Sequence, residues 1–166
     1  MSNRVIGSCL LALSVIFVGS PPVAAQDSGL SVSGSYDFLY REFGDNSHVG
    51  AHFDVAKSLG IVEVVGEVGI NHFVVDDVGD TVTSFQGGVR HNLVYAQEQP
   101  FRPFVQFLLG GWFCCEENAF VIQPGFGIDL PIGSGLDVRA EYDFRRIFYA
   151  DGYWGHRVSA GIVKRF

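Results

Sequence analysis

Five histidines are the residues of this sequence best suited to bind a metal or to move a proton. His48 and His52 lie four residues apart in a stretch where polar and apolar residues alternate, as in a β-strand. Four residues of strand span about 13 Å, which is too far for two imidazoles to hold one ion. His72, His91 and His156 are isolated. We therefore predict no metal site and no cofactor.

A serine and a histidine near the end of the chain are the nearest candidates for a nucleophile and its base. His156 and Ser159 are three residues apart, a spacing that puts them on opposite faces of a strand. Cys114 and Cys115 are adjacent, which is a poor geometry for an ordinary disulfide, and their redox state stays open. The sequence therefore predicts no catalytic residues.

Charged residues recur on the polar rows of the alternating segments. They could form a binding or conduction site, or they could pair with one another inside the protein. Since buried charges need partners, closely spaced opposite charges such as Arg139 and Glu141 favour the second interpretation. The predicted interior cluster comprises Asp54, Glu63, Glu67, Arg90, Arg139, Glu141, Asp143 and Arg145.

The composition indicates which elements position these residues. Of 166 residues, 48% are hydrophobic and only 17% are charged, against a usual charged share of about a quarter. Twenty-one glycines and fifteen phenylalanines favour pleated sheet over helix. The sequence predicts an all-β protein.

The first 25 residues have the pattern of a cleaved secretory signal. Arg4 precedes an apolar core, and Val23, Ala24 and Ala25 form a small-residue cleavage site. The expected domains are a signal peptide, 1–25, and a single β domain, 26–166. Removing the signal leaves ten Lys and Arg against eighteen Asp and Glu, a formal charge of −8, which argues against nucleic acid as a partner.

Eight alternating segments follow, each long enough to cross a bilayer as a tilted strand. The most regular runs from Leu136, with apolar residues on one face and charged residues on the other. Both rows of 103–113 are apolar, so the phase of that strand stays open. Connections 58–60 and 131–135 are short, and those after the first, third and seventh strands are predicted to be longer. The last strand, which ends on Phe166, is expected to pair with the strand around 30–41.

Two barrel architectures are compatible with this alternation. A soluble exported lipid-binding barrel would turn its apolar rows inward, whereas a membrane barrel turns them outward. Here the polar rows contain glycine, serine and matched opposite charges, which suit the narrow interior of an eight-stranded barrel. The bulky rows carry phenylalanine and tyrosine, with aromatics near strand ends. The pattern favours an eight-stranded antiparallel up-and-down transmembrane β-barrel with a filled interior and no wide pore.

A family resemblance agrees with this architecture. The export signal, the eight segments, the runs 103–106, 123–129 and 136–144, and the final Phe166 resemble small bacterial outer-membrane β-barrels of the OmpA/OmpX type. The resemblance implies location in the bacterial outer membrane, contact with its lipid, and assembly by the barrel-assembly machinery, with Phe166 as part of the assembly signal. Some similar barrels are lipid A deacylases that use Ser, His and an acid, but the spacing of His156 and Ser159 disfavours that activity. The expected function is non-enzymatic, structural or in surface interaction through loops.

Overall fold

The computed structural model describes residues 29–41, 47–75, 78–93, 100–114, 117–148 and 152–166. The predicted signal segment, 1–25, lies outside these ranges, so its cleavage stays a prediction. Within the described ranges no helix is long and apolar enough to cross a membrane.

Eight strands make up almost all of the described chain, and their length of 12 to 17 residues follows the long alternating segments of the sequence. The strands are β1 Leu30–Arg41, β2 Ser47–Ser58, β3 Val62–Val75, β4 Val78–Asn92, β5 Arg102–Cys114, β6 Glu117–Gly133, β7 Leu136–Phe148 and β8 Tyr153–Arg165.

The strands form one closed barrel in which each pairs antiparallel with its sequence neighbour. The ring closes between β1 and β8, whose register runs from Ser31 opposite Arg165 to Arg41 opposite Gly155. The amide of Phe166 extends this seam by donating to the carbonyl of Leu30, with an N–O distance of 2.9 Å. The predicted pairing of the last strand with the first is confirmed, and so is the eight-stranded up-and-down barrel.

The barrel is polar inside and apolar outside. Outward Tyr36, Phe85 and Phe126 are 64%, 54% and 53% exposed, whereas inward Asp37 and Arg139 are fully buried. A soluble lipid-binding barrel has the opposite arrangement, with an apolar cavity and a hydrated outer surface. The soluble alternative is therefore wrong for this chain, because its large apolar side chains have no protein to pack against on the outside.

The strand whose phase the sequence left open has a clear orientation. Phe104, Gln106 and Leu108 of β5 point into the barrel, and Val105 and Phe107 point outward. Both rows of β5 are apolar because this strand supplies apolar side chains to the interior as well as to the outer surface. Periodicity alone could not distinguish the two.

The two ends of the barrel differ in their connections. We call the end with connections 42–46, 76–77, 115–116 and 149–152 the upper end, and the end with Gly29 and Phe166 the lower end. At the lower end, Gly133, Ser134 and Gly135 have φ angles of 123°, 49° and 71°, which allow β6 to turn directly into β7.

The predicted long connection after the third strand is wrong, whereas those after the first and seventh strands, 42–46 and 149–152, are longer than the turns 59–61 and 134–135. β3 ends at Val75 and β4 begins at Val78, because backbone pairing continues to the tip of this hairpin. The widest gap between strands, 93–101, lies at the lower end. The β-branched residues Val74, Val75 and Val78 favour strand structure, so the two strands take up part of the segment that the sequence predicts as a loop.

An apolar layer fills the upper part of the interior. It consists of one inward side chain from each of five strands, near the upper end of each strand: Leu39, Val82, Trp112, Val121 and Ile147. Ala56, Val65 and Leu108 form a second, smaller cluster. Between and below these apolar groups the interior is occupied by charged and amide side chains.

Candidate functional site: a charged network in the barrel lumen

All eight charged residues predicted for the interior point into the lumen and are buried. Their strands place them there because inward and outward side chains alternate along each strand. They come from four strands, β2, β3, β4 and β7, and β7 supplies four of the eight. The set is Asp54, Glu63, Glu67, Arg90, Arg139, Glu141, Asp143 and Arg145.

Arg157 of β8 is the central cation of the network, and the sequence-based set did not include it. Its Nη1 and Nη2 donate to Oε1 and Oε2 of Glu67 at 2.8 and 2.9 Å. Its Nε donates to Oδ2 of Asp143 at 2.8 Å, and Nη2 also donates to Oε1 of Glu141 at 2.8 Å. Arg157 lies two residues before Ser159 and therefore on the same face of the strand. Because Ser159 was assigned to the polar face, continuing that face to residue 157 would have identified the arginine.

A second arginine pairs in the lower half of the lumen. Arg139 makes a bidentate contact with Asp129, with Nε–Oδ1 and Nη2–Oδ2 distances of 2.7 and 2.9 Å. Its Nη1 donates to Asp54 at 3.1 Å, and Asp54 also accepts a hydrogen bond from the hydroxyl of Ser33. Such planar paired contacts fix both partners in position.

The lower mouth of the lumen is lined by partly exposed arginines. Arg165 contacts Asp129 and donates from Nε to Asp137 at 2.6 Å. Arg102 donates to the same Asp137 carboxylate at 3.2 Å. These contacts continue the network to the rim, where the side chains of Arg102 and Arg165 meet solvent.

Amide side chains connect the ion pairs. Gln106 accepts from Nη2 of Arg90 at 2.9 Å and donates to Glu141 and Asp143 at 2.9 and 3.0 Å. The side-chain oxygen of Gln123 accepts from Arg145 at 2.7 Å. A glutamine can do this because it carries a donor and an acceptor on one group.

The ring of Phe104 contacts two arginines of the network. The guanidinium carbons of Arg90 and Arg139 lie 4.7 and 4.8 Å from the centroid of the buried Phe104 ring. This buried ring therefore stabilises two buried cations through its π system.

His52 contacts acids on both sides. Its Nδ1 is 2.6 Å from Oδ1 of Asp37, and its Nε2 is 3.9 Å from Oε2 of Glu67. His52, Glu67 and Glu141 bring one ligand atom each to within 4.8 Å of one another. The sequence missed this group because its members belong to β2, β3 and β7 and meet only when the barrel closes.

The other chemical candidates do not form a site. His156 lies on the outer face, 2.8 Å from the hydroxyl of Tyr142, whereas Ser159 is buried on the inner face. The barrel wall separates them, as their spacing predicts. His48 packs against Trp112, with ring centroids 6.2 Å apart. Cys115 and the side chain of Cys114 lie outside the described part of the structure.

Comparison with known proteins finds similarity in structure and none in sequence. No protein-family model matches the sequence, and no curated protein matches it. Neisserial surface protein A superposes with a TM-score of 0.65 over 82% of this chain and 96% of that one, at 9% identity. The chain has the fold of small bacterial outer-membrane β-barrels, the OmpA/OmpX-like class that the sequence resembles.

Two further outer-membrane barrels have the same fold. The attachment invasion locus protein Ail of Yersinia pestis gives a TM-score of 0.56 at 10% identity, with 82% of this chain and 96% of that chain covered. The N-terminal β-barrel domain of Pseudomonas aeruginosa OprF gives 0.52 at 14% identity, with 80% and 96% covered. An outer-membrane location agrees with this fold and with the apolar outer surface of the barrel.

Proposed function

We propose that this chain is a non-enzymatic outer-membrane barrel whose interior is a structural filling rather than a pore, and whose upper end presents a contact surface outside the cell. The observation that carries the proposal is the sealed lumen: Arg139, Arg145 and Arg157 are fully buried among carboxylates and amides. Side chains that fill an eight-stranded barrel leave no continuous water path.

The chemistry inside the lumen also supports a non-enzymatic role. Asp37 and His52 have the hydrogen bond of an acid and a base, but both side chains are fully buried. The apolar layer around Trp112 and Ile147 lies above them. A substrate would have to displace that layer to reach the imidazole.

The contact surface would be formed by the connections of the upper end, 42–46, 76–77, 115–116 and 149–152. Two proteins of similar fold are described as a surface protein and as an attachment invasion locus protein. Connections between strands can vary without disturbing the barrel, and those of the upper end would be the ones exposed outside the cell. A role in structure or in surface contact follows from that position.

Planar-bilayer recordings with the refolded monomer test the sealed lumen. We expect no large, stable conductance, and we expect the protein to be extracted from cell envelopes only with detergent. A stable open channel from the isolated monomer would contradict the proposal. Release of acyl chains from lipid A by the parent, abolished in His156→Ala, would contradict its non-enzymatic part.

Epitope insertion tests the orientation. A tag inserted between Gly44 and Asp45 should be labelled on intact cells, and a tag between Ser134 and Gly135 only after permeabilisation. The reverse pattern would place the upper end in the periplasm and remove the proposed contact surface.

Assembly by the barrel-assembly machinery is part of the same proposal. Phe166 lies at the lower end, next to the seam between β1 and β8, and is partly exposed. We expect Phe166→Ala to reduce insertion in cells while leaving spontaneous refolding into detergent unchanged. Equal losses in both assays would assign Phe166 a role in stability alone.

A further inference from the structure

Three potential metal ligands converge at the centre of the lumen. His52, Glu67 and Glu141 each offer one atom, and these atoms lie within 4.8 Å of one another. His52 of β2 stands opposite Gly69 of β3, two residues along that strand from Glu67, so the imidazole and the Glu67 carboxylate are inward neighbours on adjacent strands. Glu141 reaches the same point from β7, on the other side of the barrel.

Two atoms of this group are buried without a hydrogen-bond partner. They are Nε2 of His52 and Oε2 of Glu141, and both side chains are fully buried. A buried polar atom left unsatisfied is destabilising, and native proteins seldom contain one without a functional or ligand-binding reason. Nε2 faces Oε2 of Glu67 at 3.9 Å, a separation that suits two ligands on a shared ion better than a direct hydrogen bond.

Asp37 gives His52 the support that metal-binding histidines require. Its Oδ1 lies 2.6 Å from Nδ1, so the carboxylate can accept the Nδ1 proton and leave the Nε2 lone pair directed at the other two ligands. A carboxylate behind the imidazole is the usual outer shell of a zinc-bound histidine. The two ligand carboxylates are held as well, since Arg157 donates to Oε1 of both Glu67 and Glu141.

The charge of the lumen favours a divalent cation. Among the side chains that the structure describes, eight inward carboxylates are matched by six arginines, four of them buried and two at the lower mouth, an excess of two negative charges. The carboxylates are Asp37, Asp54, Glu63, Glu67, Asp129, Asp137, Glu141 and Asp143, and the arginines are Arg90, Arg102, Arg139, Arg145, Arg157 and Arg165. An uncompensated buried charge is strongly unfavourable, and one divalent ion would neutralise this excess.

We propose that the lumen binds one divalent transition-metal ion, of which zinc is the best fit, through Nε2 of His52 and a carboxylate oxygen from each of Glu67 and Glu141. One imidazole and two carboxylates are a ligand set that zinc accepts, whereas calcium and magnesium prefer oxygen ligands alone. The ion would connect β2, β3 and β7 across the barrel and act as a structural staple. This proposal replaces the prediction of no metal site, which considered histidines alone and no carboxylates from other strands.

Refolding tests the site, because buried side chains enclose it and an ion would enter before the barrel closes. The full chain, denatured and metal-free, is refolded into detergent micelles with zinc chloride or with a chelator, and bound metal is measured after dialysis. We expect the parent to retain one zinc per barrel and to melt at a higher temperature than protein refolded in chelator. Parent protein refolded with zinc that holds no more metal than the chelator sample would overturn the proposal.

Matched histidine variants locate the ion. His52→Gln should retain no zinc and show no zinc-dependent rise in melting temperature, whereas His48→Gln, on the same inward row of β2, should behave like the parent. Equal zinc retention in both variants would overturn the assignment.

Cobalt provides a measurement that does not depend on a variant. Parent protein refolded with cobalt should show the visible d–d absorption of a low-symmetry site with nitrogen and oxygen ligands. Nitrogen NMR that finds protons on both ring nitrogens of His52, unchanged by zinc, would overturn the proposal in favour of a protonated imidazole.

Discussion

Arg157 on β8 and Glu67 on β3 meet across the lumen as a two-point ion pair, with N–O distances of 2.8 and 2.9 Å. The two residues are 90 positions apart in the sequence and belong to strands that do not pair. Arg157 also contacts Asp143 and Glu141. It therefore holds together carboxylates from both sides of the barrel.

Replacing Arg157 should be strongly destabilising. Arg157→Met leaves the carboxylates of Glu67 and Asp143 buried without their main cation, and removal of one member of a buried ion pair typically costs about 3–5 kcal/mol. Urea unfolding in lipid vesicles, followed by tryptophan fluorescence, measures the free energy of unfolding.

Arg146→Met is the matched control for this variant. Arg146 is on β7 and its guanidinium lies over the Phe148 and Trp154 rings on the outside of the barrel, 5.7 and 5.2 Å from their centroids. Loss of such exposed contacts should cost only about 0.5–1 kcal/mol. Similar losses in the two variants would mean that the lumenal pairs contribute no more than surface contacts.

Replacing Phe104 tests the ring between two arginines. Phe104→Leu keeps the site apolar but removes the π face that Arg90 and Arg139 share, so we expect a loss of about 2 kcal/mol. Phe107→Leu, on the outward row of the same strand, should change the unfolding free energy by less than about 0.5 kcal/mol. A larger effect at Phe107 than at Phe104 in the same urea titration would argue against the cation–π contacts.

The sequence predicted the strands and the facing of their side chains, because alternation with a period of two is a local property. It placed Asp54 and Arg139 in the interior for that reason, and it placed His156 and Ser159 on opposite faces. It could not identify partners such as Arg139 and Asp54, which are 85 residues apart. Those partners depend on the stagger of the closed barrel, which no single segment encodes.

Strand ends and the apolar layer were harder to predict for a related reason. Trp112 and Val121 interrupt the polar rows, and only the assembled barrel brings them together at one level with Leu39. The extension of β4 to Val78 depends on its backbone pairing with Val75 across the hairpin. Both features result from contacts between strands rather than from periodicity within one.

An arginine introduced on the outer surface should report the depth of its position in the membrane. Phe85 is outward at the middle of β4, so Phe85→Arg should destabilise the barrel in lipid by about 2–4 kcal/mol. Leu59→Arg, in a turn at the lower end, should cost about 0–1 kcal/mol. Equal effects in vesicles would indicate that the outer surface is not buried in lipid.

A methyl group added at the closing seam should interfere with barrel formation. A Cβ at Gly161 of β8 would lie 2.3 Å from the carbonyl oxygen of Gly34 and 2.6 Å from Cα of Ser35, both in the backbone of β1. Because backbone cannot move aside as a flexible side chain can, Gly161→Ala should force β8 away from β1, at a cost of about 1–3 kcal/mol. The yield of folded protein, measured as the heat-modifiable band after refolding, should fall accordingly.

Gly66→Ala separates this steric effect from the general consequences of replacing a strand glycine. A Cβ at Gly66 meets nothing within 4 Å and points outward, so this variant should refold as well as the parent or better, since alanine restricts the unfolded chain. If Gly161→Ala refolds as well as Gly66→Ala, the seam must be able to open by the width of a methyl group, and β1 and β8 would not be packed as closely as their register implies.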